Sequence, residues 1–219
     1  MSVREKFDVE LKTAQEELIV LSTMAVNALS KSMEALVTQD VDAALEVIED
    51  DKDINQMEEF INDRVILLIA KQSPVATDLR RLIVTIKVAS DMERVGDYAV
   101  NIAKETIRIG KQELLPQIGH IQQMQKLAVA MLRQVIDAFV EEDIVKAKEI
   151  AELDDQVDEL YGDVIRRLMR EGGENPEKLS QITQLAFISR YMERSADHAT
   201  NIAEQLFYLV RGQHYDLNK

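Results

Sequence analysis

The 219-residue chain contains no cysteine and no tryptophan, and only three prolines and seven glycines. Without cysteine there is no disulfide framework, no thiolate metal site and no nucleophilic thiol. Scarcity of the two helix-breaking residues, against recurring Leu, Ala, Glu, Lys and Met, favours helix over sheet. Long apolar runs are missing too. No uninterrupted one is longer than VILLIA, Val65 to Ala70, which falls far short of the ~20 residues that a membrane span requires. Any membrane association is therefore expected to run through a partner or a surface contact. Basic residues are in deficit, 26 against 40 acidic, giving a net charge of −14. That excess repels phosphate backbones and, with no basic patch to offset it, argues against nucleic-acid binding. It suits cations, or basic surfaces on partner proteins. Catalytic signatures are absent as well: there is no Gly-rich phosphate loop and no defensible Ser–His–Asp order. Lack of cysteine and of a signal-peptide pattern leads to the expectation of a cytoplasmic protein.

What is present is periodicity. Hydrophobic residues make up 46% of the chain, enough to bury the core of one large domain or two small ones. They recur at helical spacing, as in Leu11/Leu18/Leu21/Ala25/Leu29 and Leu127/Met131/Leu132/Val135/Ile136/Phe139. Breakers separate these stretches: TQD at Thr38–Asp40, KQSP ending at Pro74, the Gly110–Gly119 stretch, EED at Glu141–Asp143, GGENP at Gly172–Pro176, and Gly212. Asp40 and Asp143 stand where N-caps belong. The pattern predicts six helices, over 4–38, 41–72, 75–109, 117–141, 144–171 and 176–211, and with no strand-like segment the class is all-α. Seven methionines, among them Met92, Met131 and Met192, fall mostly on the apolar stripes as core fillers.

An internal repeat underlies the six helices. MERVGDYAVNIAK at 92–104 returns as MERSADHATNIAE at 192–204, an offset of 100 with eight of thirteen positions identical. Upstream, Asp40 aligns with Asp143, Asp51 with Asp154, Ile54 with Val157 and Asn55 with Asp158, all at offset 103. A three-residue deletion in one helix connection reconciles the offsets, because loops tolerate deletion. The chain is thus expected to be two tandem three-helix bundles of long antiparallel helices, over 1–115 and 116–219.

The repeat carries carboxylates at matching places. Residues four apart lie on one helix face, so Glu93, Asp97 and Asn101 form a stripe that Glu193, Asp197 and Asn201 duplicate. The preceding helices offer Asp51 and Asn55, then Asp154 and Asp158. Helices joined by a short turn bring residues equidistant from it to one height. The midpoint of 53 and 95 is Pro74, and that of 156 and 195 falls on Asn175–Pro176. Each bundle should then hold three or four carboxylates at one level.

Forty acidic residues in 219 produce roughly seven acidic i,i+4 pairs by chance, so a single pair signifies only a solvated face. Repetition in both copies and the shared height favour metal binding, with solvated faces and Arg-neutralised networks as the alternatives. Oxygen donors without thiolate suit Mg, Mn, Ca or Fe, with Zn also compatible. The three histidines, His120, His198 and His214, lack the Glu-x-x-His spacing of di-iron bundles, since Gln117, Ser195 and Arg211 occupy the i−3 positions. His198 is expected to serve packing or a polar contact. Arg94 and Arg194 each precede the motif Asp by three residues, the spacing of a helical ion pair. The sharper alternative is that each reads an anion or a partner carboxylate.

Taken together and in order, DKDIN (51–55), SPVATDLRRL (73–82), the two MER segments, LDDQVDELY (153–161) and FYLVRGQ (207–213) resemble the PhoU family of phosphate-transport regulatory proteins over essentially the whole chain. The resemblance implies a cytoplasmic, often dimeric protein acting at the inner face of the membrane. It implies two partners, the ATPase subunit of the phosphate ABC importer and the sensor histidine kinase of the phosphate-starvation response, whose regulon the family keeps off when phosphate is plentiful. Some members bind multinuclear iron or zinc at the paired motifs. Carried over, the ligands are Asp51, Asn55, Glu93 and Asp97 in one copy and Asp154, Asp158, Glu193 and Asp197 in the other, with Arg94, Arg194, Asn101 and Asn201 beside them. Asn55 leaves the first set one charge poorer, so weaker or different occupancy is expected there. Ala196 replaces the family's usual Gly before the Asp without removing a ligand. Two other readings compete: a metal-storing or structural bundle, and a carboxylate-metal hydrolase or oxidase, the oxidase form disfavoured by the missing Glu-x-x-His pairs.

Overall fold

Asp40 and Asp143 both start helices, and by the same turn. In each case the residue before the aspartate is left-handed, Gln39 at φ 54° and Glu142 at φ 53°. The aspartate N–H closes back five residues, Asp40 onto Ala35 O at 3.0 Å and Asp143 onto Ala138 O at 2.9 Å. This is the Schellman stop, which satisfies carbonyls that a helix end leaves orphaned. The side chains then cap the next helix: Asp40 accepts from Ala43 N at 3.0 Å, and Asp143 from the matching Lys146 N at 3.3 Å and also from Val145 N at 2.8 Å. The duplication is therefore written into individual hydrogen bonds at offset 103.

A computed structural model describes residues 3–217; the outermost ends of the two expected repeats, residues 1–2 and 218–219, lie outside them. The helices are α1 Val3–Thr38, α2 Val41–Gln72, α3 Ala76–Ile109, α4 Ile118–Glu141, α5 Ile144–Glu174 and α6 Leu179–Arg211, with a 3-10 turn over Pro176–Lys178 ahead of α6. No strand occurs among the described residues, and none of these helices is long and apolar enough to cross a membrane.

Two boundaries differ from expectation by three residues, and both lie at the α5–α6 connection. α5 does not stop before the glycines but runs through Gly172 and Gly173 to Glu174. Neither glycine has positive φ, so neither is used as a helix stop. Gly172 is instead a close-approach position, where an added Cβ would stand 3.1 Å from Leu179 Cδ2 and 3.5 Å from Ile182 Cδ1. α6 correspondingly starts three residues late, because Pro176 opens the 3-10 turn. The first-copy connection is built otherwise: Ser73 at φ 45°, ψ 59° caps α2 through its N–H to Ile69 O, and Pro74 follows.

α3 packs against α1 and α2, α6 against α4 and α5, and the two central helices pack on each other. One hydrophobic core runs through all six helices, with Leu18, Leu82, Met92, Met124, Met131, Leu185 and Met192 among its fully buried members. Contacts between α3 and α6 run in opposite directions: Arg80 Nη1 donates to Leu209 O at 3.2 Å, Lys87 Nζ to Gln205 Oε1 at 3.2 Å, and Asp91 meets His198 further along. The helices are antiparallel. Asp91 Oδ1 lies 2.8 Å from His198 Nδ1, while the Tyr98 and Tyr191 rings stack with centroids 5.9 Å apart. At offset 100, Asp91 is the counterpart of Tyr191 and Tyr98 that of His198. The two contacts are one contact seen twice across a pseudo-twofold, polar on one side and aromatic on the other.

Candidate metal centre

Both acidic stripes face the neighbouring helix of their own unit. In the first copy, α3 presents Glu93 and Asp97 to α2, and Gly96 between them lets the helices close: an added Cβ would lie 3.5 Å from Asp51 Oδ1 and 3.1 Å from two Ile54 carbons. Asp51 is held up in pKa by burial first, then by the charge of Asp97, partly offset by Asn55 and Lys104. Asn55 Nδ2 donates to Asp51 Oδ2 at 3.3 Å. Glu93 is raised by burial and by Asp97, against the pull of Arg94, with smaller pushes from Glu58 and Asp51. Carboxylates of α2 and α3 thus sense one another at the level set by the turn at Pro74.

The second copy repeats this between α5 and α6. Asp158 is raised by burial, by Asp197 and by Asp155. Glu193 is pushed from its ordinary value of 4.5 up to about 7, chiefly by burial, then by Asp197 and Asp158 against the pull of Arg190 and Arg194. Glu193 and Asp154 are the most enclosed members of the set, at 8% and 3% exposure. Asn101 is half-buried and Asn201 exposed, each one turn beyond the motif aspartate.

The arginines of the motif make the helical ion pairs that their spacing predicts. Arg94 Nη1 stands 2.7 Å from Asp97 Oδ2, and Arg194 Nη1 3.4 Å from Asp197 Oδ2. His198 belongs to the α3–α6 contact with Asp91. Three residues that pattern reading passed over also belong here. Glu58 lies three residues beyond Asn55 on the same face of α2, a spacing that would have found it. Arg190, three before Glu193, forms an ion pair with its carboxylate. Tyr161 carries the Arg190 guanidinium over its ring, 5.8 Å from the centroid.

The donor set is all oxygen, and three of its buried atoms, Asp51 Oδ1, Asn55 Oδ1 and Glu193 Oε2, have no hydrogen-bond partner. Leaving such atoms unmatched in a protein interior costs free energy that a cation would offset. As the side chains stand, no three Asp, Glu, His or Cys residues among those described converge closely enough to form a ready-made ligand set.

Fold and site define a class: a tandem pair of three-helix units, each with an acidic and amide stripe on its third helix turned toward its second. The family model that matches is the PhoU domain, twice, over residues 18–106 and 121–206. A phosphate-specific transport system accessory protein PhoU homolog of Clostridium acetobutylicum is 37% identical over 216 residues, covering 98% of this chain and 99% of the relative. The phosphate-specific transport system accessory protein PhoU of Escherichia coli is 33% identical over 96% of this chain and 87% of its own length. The crystal structure of the phosphate transport system regulatory protein PhoU from Streptococcus pneumoniae superposes with a TM-score of 0.90 at 31% identity, covering 96% of this chain and 99% of that one. That of PhoU from Pseudomonas aeruginosa also gives 0.90 at 31% identity, over 94% and 100%. The chain belongs to the PhoU family.

Proposed function

We propose that this chain is the accessory protein of a phosphate-specific transport system, and that it represses the phosphate-starvation response when phosphate is plentiful. The observation that carries this reading is similarity along the full length, 98% of this chain and 99% of the relative, to a protein named as an accessory protein of the phosphate-specific transport system. In this reading the chain is an adaptor rather than an enzyme. It contacts the ATPase subunit of the importer and the sensor histidine kinase from the cytoplasmic face of the membrane, limits phosphate uptake, and acts as a homodimer. The acidic exterior, −14 overall, favours basic surfaces on those partners.

The two stripes hold divalent or trivalent metal ions, with Asp51, Asn55, Glu93 and Asp97 as donors in one copy and Asp154, Asp158, Glu193 and Asp197 in the other. Support comes from the unpartnered buried oxygens and from carboxylates raised first by burial and then by one another's charge. Hard or borderline cations, Mg, Mn, Fe or Zn, match the donors. Bound metal would supply positive charge that draws the two helices' carboxylates together, a structural or signalling role.

Deleting the gene should derepress phosphate-starvation genes in phosphate-rich medium, read by alkaline phosphatase or by transcript level. Repression that persists unchanged would overturn the regulatory reading.

A further inference from the structure

The two clusters are not equally charged where they meet the third helix, and one exchanged pair of residues makes the difference. In the first copy α2 places Glu58 beside Glu93, and Ser90 stands three residues before that glutamate. The repeat counterpart of Glu58, at offset 103, is Tyr161, and the counterpart of Ser90, at offset 100, is Arg190. The second copy has thus lost a carboxylate and gained a cation together with an aromatic platform. The Arg190 guanidinium lies 5.8 Å from the Tyr161 centroid, a separation at which the ring face attracts it. From there Arg190 pairs with Glu193 Oε1. The other oxygen of that carboxylate, Oε2, has no hydrogen-bond partner, although the residue is only 8% exposed.

We propose that Arg190 is a tethered counter-cation of the second cluster, competing with a divalent metal ion for the Glu193 carboxylate. The inference rests on the metal-binding reading above. Its physical basis is competition of two cations for one carboxylate: a carboxylate oxygen engaged by guanidinium is a poor ligand, and a cation approaching Arg190 meets like charge. The Arg190 side chain is 45% exposed against 10% for Glu193, so it can leave toward solvent while the glutamate stays in place. The first cluster has no counterpart of Arg190, because Ser90 carries no charge; there Glu93 meets only the motif arginine, Arg94, at 3.5 Å, while Arg94 sits closer to Asp97 at 2.7 Å, and Glu58 restores the charge that Asn55 removes. The second cluster therefore carries one counter-cation more than the first, and its metal binding is conditional on Arg190 moving aside.

The test is Mn2+ binding to the full chain, stripped with chelator, by titration calorimetry. Asp97→Asn weakens the first cluster so that the second is read. Against that background Arg190→Ser should tighten Mn2+ binding about tenfold, the scale of one removed close charge. Arg190→Lys keeps the charge and should stay within about threefold of the parent. The converse variant, Ser90→Arg read in an Asp197→Asn background, should weaken the first cluster by a similar factor. It also carries the test alone if Arg190→Ser does not give a folded circular-dichroism spectrum. Binding that is unchanged or weaker in Arg190→Ser, or unchanged in Ser90→Arg, overturns the competition while leaving the metal reading intact. Failure of Mn2+ to bind the wild-type chain and both variants, with no shift in melting temperature, overturns both.

Discussion

Across the pseudo-twofold between α3 and α6 the same contact is made twice with different chemistry. Asp91 and His198 meet as a polar pair with side chains 18% and 16% exposed, and Tyr191 and Tyr98 meet as stacked rings. Duplication fixed the helix geometry, and divergence then chose the side chains independently on each side. Structure has been retained as a framework while individual contacts were exchanged. The same holds at the acidic stripes, where the repeat counterparts of Glu58 and Ser90 are Tyr161 and Arg190. A protein that had kept two identical halves would have two identical sites; this one does not.

The contrast between the halves is open to measurement. The largest effect is expected at Tyr98, which stacks on Tyr191 at 5.9 Å and meets the tilted His198 ring at 5.7 Å, and so supports both sides of the interface. Tyr98→Ala should cost about 3 kcal/mol in urea unfolding, the low end for a large aromatic because the ring is only partly buried. Asp91→Ala removes a polar contact and should cost about 1 kcal/mol. An Asp91 variant that proves the more damaging of the two would show that the polar side, not the aromatic one, holds the repeats together.

The second effect separates the two clusters by pH. In the folded chain Glu193 keeps its proton to about pH 7, against an ordinary value of 4.5. The native state therefore binds more protons than the unfolded state between those values, and stability must fall as pH rises through them. The contribution is complete below pH 4.5 and lost above about 7. Metal-free protein should lose on the order of 2 kcal/mol between pH 5 and pH 8 from this residue. Glu193→Gln should flatten that slope. Glu93→Gln should flatten it less, although Glu93 is shifted in the same direction by burial and Asp97. A wild-type melting temperature that is level or rising over this window would refute the coupling of the second cluster.

Helix periodicity, the N-capping aspartates and the offset repeats were legible because each is a local pattern with a local cause. Five of the six helices end at the residue where the breakers place them, and the sixth, α5, ends three residues later. The exception, α5, shows the limit: a glycine pair stops a helix only when the backbone turns left-handed, and here Gly172 is used for close approach to Leu179 instead. The carboxylate register was legible from the positions of the turns alone. What stayed hidden was the identity of the neutralising groups. Arg190 and Tyr161 sit on different helices, and only the packing of α5 on α6 brings guanidinium, ring and Glu193 into one line. Comparison of the two copies residue by residue marks both as exchanged, but it does not reveal that the exchanges touch.

The smallest effect probes an exchange that conserves volume. Copy one has Gly96 against Ile54, and copy two has Ala196 and Val157 at the matching positions, one methyl gained and one methylene lost. An alanine at 96 would place its Cβ 3.1 Å from both Ile54 Cδ1 and Cγ2, and Ile54 is 2% exposed with little room to yield. Replacing a helical glycine gains up to about 1 kcal/mol of backbone entropy, while overpacking costs about 1–3 kcal/mol, so Gly96→Ala alone should be neutral to mildly destabilising. Ile54→Val alone should cost about 1 kcal/mol for the lost methylene. Made together, the two substitutions install the second copy's solution in the first: the valine lacks the Cδ1, which removes one of the two 3.1 Å contacts and leaves a smaller side chain to yield at the other, while the backbone gain is kept. The double variant should then be more stable than the sum of the singles by about 1 kcal/mol, as expected for residues in direct contact. Strict additivity in that cycle would mean that Gly96 is kept for the approach of Asp51, whose Oδ1 lies 3.5 Å from the same point, and not for the fit to Ile54.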